Sequence, residues 1–73
     1  MYLVVTMTDY NWITYKIIGT EKDCLWAAGH LKFTLENDFK GVNVCITKWK
    51  KHKDCQNGDL YVNAVIPSRG VND

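Results

Sequence analysis

The sequence predicts an α+β fold of order ββαββ, an antiparallel sheet with one helix packed on one face. Three observations carry this: two β-rich runs at the start, one long stretch of helical periodicity, and two alternating runs after it.

Tyr2 to Thr8 is rich in β-branched and aromatic residues and reads as the first strand. Asp9-Tyr10-Asn11 supplies a short polar turn, and Trp12 to Ile18 reads as the second strand. Gly19-Thr20 ends that pattern. Thr20 is placed to cap a helix, and Glu21 and Asp23 suit the positive end of its dipole. Cys24, Ala28, Leu31, Leu35 and Phe39 then recur at helical spacing on one face, and Gly41 is the expected stop. Gly29 inside this helix costs about 1 kcal/mol against alanine; close approach of helix to sheet is the expected reason.

Val42, Val44 and Ile46 alternate with Asn43, Cys45 and Thr47 to make the third strand. Asn57-Gly58 is the strongest hairpin signal, since both residues tolerate positive φ. Leu60, Val62, Ala64 and Ile66 form the fourth strand, stopped by Pro67. The domain therefore spans 1–67, and 68–73 read as a polar C-terminal tail. A helix between strands two and three makes those strands parallel. Placing strand one between them keeps every neighbouring pair antiparallel, which gives the four-stranded order 2-1-3-4.

Alternation sorts the strands into two faces. Leu3, Val5, Met7, Ile13, Tyr15, Ile17, Val42, Val44, Ile46, Leu60, Val62, Ala64 and Ile66 form the set for the helix to cover. Tyr2, Val4, Thr6, Trp12, Thr14, Lys16, Ile18, Cys45, Thr47, Trp49, Tyr61 and Val65 form the other. That second face is half aromatic or aliphatic, and no second helix is available to cover it. Exposed apolar area of this kind marks an interface, unless its aromatics serve only to stiffen cross-strand pairs.

Seventy-three residues make one small domain. A chain of this size buries roughly 60% of its unfolded surface, for a stability of about 4–10 kcal/mol. A formal charge of +1 argues against whole-molecule attraction to nucleic acid. The charge is nevertheless polarised. Four of the nine basic residues lie in Lys48-Trp49-Lys50-Lys51-His52-Lys53, and the rest of the chain sums to about −3. Three cysteines, no basic leader before Tyr2-Leu3-Val4-Val5 and no long apolar run point to a soluble chain in a reducing cytoplasm.

The lysine cluster has two readings. It is either a pad for phosphates or acidic protein surfaces with Trp49 as anchor, or lysine protection of an outer strand. Four phosphate contacts imply a salt slope of only about −3.6, which suits weak, non-specific nucleic-acid binding. Cys24, His30, Cys45, His52 and Cys55 lack metal-ligand spacing, so neither metal nor cofactor is expected. His30 lies mid-helix, off the apolar stripe. Asp9, Asp54 and Asp59 sit beside turns, with no nucleophile and base arranged around them, so no enzyme is expected.

Lys22-Asp23-Cys24-Leu25-Trp26-Ala27, preceded by two strands and followed by Val44-Cys45 in the next, resembles the Dmd antitoxins of T-even phages over roughly residues 2–50. The lysine cluster and the fourth strand have no counterpart there. The layout also resembles small phage-encoded anti-CRISPR proteins and inhibitors of host RNA polymerase. These resemblances imply a non-catalytic protein that binds and blocks a host protein or defence complex, and they transfer no site residue.

The expected partner-binding residues are therefore Trp49, Trp12 and Tyr61 as apolar anchors, with Lys48, Lys50, Lys51 and Lys53 as a charged rim. The alternatives are a protein that binds nucleic acid or blocks a nucleic-acid channel through the lysine cluster, and a homodimer packed through the open sheet face.

Overall fold

The computed structural model describes residues 1–67; the tail at 68–73 lies outside the described residues. One helix packs on an antiparallel sheet, so the α+β class holds. The elements are β1 (Tyr2–Asp9), β2 (Trp12–Gly19), α1 (Glu21–Asp38), β3 (Asn43–Ile46), β4 (Lys50–Lys51) and β5 (Gly58–Val65).

The strand order is β1-β2-β5-β3, with β4 pairing β5 beyond the end of β3. This corrects the expected 2-1-3-4 order and adds a fifth, two-residue strand. The reason is the quality of the faces. β5 offers Leu60, Val62 and Ala64 to the helix, and all three are fully buried. The strand expected in that central slot, β1, can offer only Tyr2, Val4, Thr6 and Thr8. The better apolar face takes the centre, and β1 is left at the edge.

The two-residue turn at Tyr10-Asn11 fixes the β1–β2 register, with Asp9 opposite Trp12 and Val4 opposite Ile17. Val4 therefore shares the helix side with Ile17 and packs on the core. Leu3, Val5 and Met7 turn to the open side, and all three are exposed. The face expected for β1 is thus reversed.

A second reversal follows β3. Ile46 lies opposite Val62, but Lys50 lies opposite Asp59, so the outer strand carries one extra residue between them. Such a bulge flips the side-chain alternation beyond it. The Asn57-Gly58 hairpin is also corrected. Asp54 takes the positive φ of 58°, and the His52 N–H donates to the Asn57 carbonyl at 2.9 Å to close a longer loop.

Thr20 caps α1 as expected, its hydroxyl accepting from the Asp23 N–H at 3.3 Å. The helix ends at Asp38, and Gly41 takes a φ of 77° in the turn into β3. Ile17, Cys24, Ala27, Ala28, Leu60 and Val62 make the core. Burying each large aliphatic side chain contributes about 1.5–3 kcal/mol. Ala27 and Ala28 bring the helix close to the sheet. Gly29 does not; a Cβ added there meets nothing within 4 Å. No helix in the described residues is long and apolar enough to cross a membrane.

Candidate functional site: the open sheet face

The sheet registers arrange the uncovered face as rows running across the strands. Asp9, Trp12, Val65 and Asn43 form the first row, and Met7, Thr14, Asn63 and Cys45 the second. Val5, Lys16 and Tyr61 form the third. Leu3, Ile18, Asp59 and Lys50 form the fourth.

The centre of this face is knitted together by its own polar groups. The Thr14 hydroxyl donates to the Asn63 side-chain oxygen at 2.9 Å. The Lys16 ammonium lies 6.0 Å from the Tyr61 ring centroid. At the β4 edge, His52 Nε2 sits 2.8 Å from an Asp59 carboxylate oxygen.

The apolar area gathers elsewhere. Leu3, Val5 and Met7 form a strip along β1, continued by Trp12 and Val65 at the hairpin end, and each leaves two fifths or more of its surface exposed. Shallow depressions flank both ends of the strip. One of about 260 Å³ is lined by Met7, Thr8, Asp9, Trp12 and Thr14. The other, about 390 Å³, is lined by Met1, Tyr2, Leu3, Ile18, Gly19 and Asn57. From Tyr2 to Thr8 the strand has no charged side chain and no proline, and among the described residues its outer edge is unpaired.

The expected binding residues do not converge. Trp12 is half-exposed on the open face. Tyr61 lies on the same face, half-buried. Lys48, Lys50, Lys51 and Lys53 are all exposed, with Lys50 and Lys51 forming the outer strand β4. Trp12 stands opposite Val65 and Lys50 opposite Asp59, which separates them by about 20 Å along the sheet. Trp49 departs furthest from expectation. The bulge turns it to the helix side, where it is half-buried against the core and donates its indole N–H to the Gly19 carbonyl at 3.2 Å. It is not presented for stacking on a base or for anchoring a partner on the open face.

Three exposed residues of the β1 strip, Leu3, Val5 and Met7, were missed as site candidates. Turn length carries the signal for them, because a two-residue loop pairs odd positions of β1 with even positions of β2. Among the described residues, no three His, Cys, Asp or Glu side chains gather as a metal site. Comparison with protein-family models, curated proteins and solved structures finds no match to this chain.

Proposed function

We propose that this protein is a non-catalytic binding module of the inhibitor type, which docks a protein partner on β1 and the open sheet face. The partner class is the one the phage resemblance implies, a host protein or defence complex met in the host cytoplasm. One observation supports the reading above the others: the exposed strip Leu3-Val5-Met7, extended by Trp12 and Val65. Apolar side chains placed in solvent contribute little to folding and much to association. Tyr61 lies two strands from this strip on the same face, and the four lysines lie at and beyond the far edge of the sheet, where their charge steers approach rather than anchors it.

The test uses tagged wild type and two folded variants in capture from host lysate, with and without nuclease treatment. Val5→Lys with Met7→Lys is expected to lose the captured protein. Reversal of Lys48, Lys50, Lys51 and Lys53 to glutamate is expected to slow capture and weaken its salt dependence. Retention of the same partner at equal affinity by the Val5→Lys, Met7→Lys variant sinks the proposal. Loss of capture on nuclease treatment alone points instead to nucleic acid.

A further inference from the structure

We infer that a second copy of this chain docks on the outer face of α1, forming a two-fold antiparallel helix pair centred on Gly29. The inference is independent of the open sheet face, which lies on the other side of the molecule.

A helix packed on one side of a small sheet is polar on its outer side; the outer side of α1 carries three large apolar residues among its charges. Leu25, Trp26 and Phe33 project outward with 52%, 62% and 67% of their surface exposed. Between them lies Gly29, exposed and with open space where a Cβ would sit. An exposed glycine in mid-helix lowers helix stability without helping the packing against the sheet. Ala27 and Ala28 already serve that packing.

The arrangement is a groove with walls. At about 100° per residue, Lys22, Leu25, Phe33 and Glu36 fall within about 40° of Gly29, and Trp26 at about 60°. Trp26 is held in place by its neighbours. His30 stacks on it at 5.3 Å with an interplanar angle of 4°, and the Tyr2 ring lies 6.2 Å away. A wall fixed before binding loses little freedom on docking.

The pattern complements itself. In an antiparallel pair crossing at Gly29, residues equally far before and after Gly29 come level with each other. Lys22 of one copy then stands level with Glu36 of the other, twice by symmetry. Leu25 comes level with Phe33, and Trp26 lies within one residue of level with Phe33 on the same side of the contact. Lys32 falls beside Leu25, where its stem adds cover. Glu36 is within reach of Lys32 of its own helix at 3.2 Å, and its exposed carboxylate is open to a second cation. The bare glycines meet at the centre, where the helices approach most closely. A closed two-fold contact of this kind uses one patch twice. The charge register selects the second copy over an unrelated helix.

Sedimentation velocity from micromolar to millimolar concentration tests this. Wild type is expected to dimerise with rising concentration. Gly29→Ala is expected to raise the melting temperature of the dilute monomer yet weaken dimerisation at least tenfold. Lys22→Glu and Glu36→Lys are each expected to weaken it, and the two together to restore it. A wild type that stays monomeric at millimolar concentration overturns the inference. So does a dimer indifferent to Gly29→Ala, or single charge reversals that the double variant fails to rescue. A dimer abolished by Val5→Lys alone assigns association to the sheet instead.

Discussion

The Trp49 indole N–H and the Gly19 carbonyl oxygen, 3.2 Å apart, tie the lysine-rich segment to the junction of β2 and α1. The only tryptophan in that basic cluster is therefore part of the fold. Its lysines ride on a segment whose position Trp49 fixes.

Replacing Trp49 then acts on stability before it acts on binding. Trp49→Phe keeps the packing and loses one hydrogen bond, an expected cost of about 1 kcal/mol. Trp49→Ala also opens space beside the core, and about 2–4 kcal/mol is expected. Urea denaturation measures both. A Trp49→Ala protein as stable as wild type contradicts the placement.

Gly58 is required by crowding rather than by its φ. A Cβ there would overlap the Lys50 carbonyl oxygen and lie 2.7 Å from the Lys51 Cα. Both neighbours are backbone, so neither can swing away. Gly58→Ala is expected to cost about 1–3 kcal/mol and to detach β4. Faster amide exchange at the His52–Asn57 loop closure, with the β2–β5 ladder still protected, is the signature to look for.

The three thiols should separate by reactivity. Cys24 is buried with its Sγ 3.5 Å from the Ile17 carbonyl, and Cys45 and Cys55 are exposed. Ellman's reagent is expected to label two thiols quickly and the third only on unfolding. Burial pushes the Cys24 pKa up. The unfolded thiol therefore ionises first, so stability is intact below about pH 8.5 and falls as pH rises from there towards the folded value. Stability measured between pH 7 and 10 should show a shallower fall in Cys24→Ala; an unchanged slope assigns the pH dependence to other groups.

Core and open face should differ sharply in how much stability a substitution removes. Leu60→Ala removes a fully buried side chain and is expected to cost about 2–5 kcal/mol, a large share of the total. Val5→Thr on the exposed strip is expected to cost under about 0.5 kcal/mol. Comparable losses at the two positions in thermal melts argue that the strip supports the fold.

The fold class, the Thr20 cap and the buried stripe of α1 were legible because each depends on short-range periodicity. Strand order was not, because it depends on competition between whole faces, and Thr6 and Thr8 decide that competition against β1. The candidate site failed on parity. A two-residue turn at Tyr10-Asn11 places odd positions of β1 with even positions of β2, and one extra residue before Lys50 inverts the faces again. The first of these can be counted from the sequence. The bulge cannot, since it exists only once Trp49 has found space beside the core. The outer face of α1 was legible in Leu25, Trp26 and Phe33, but a stripe chosen to explain burial passes over apolar residues lying off it.

The uncharged run from Tyr2 to Thr8 sets a conflict for anyone handling or engineering this chain. An open edge rich in β-formers joins readily to others of its kind. The usual remedy, a lysine or glutamate at position 3, 5 or 7, lands in the middle of the proposed docking strip. On the proposed docking role, solubility and binding draw on the same seven residues, so selection for easy expression works against the very surface the proposal depends on.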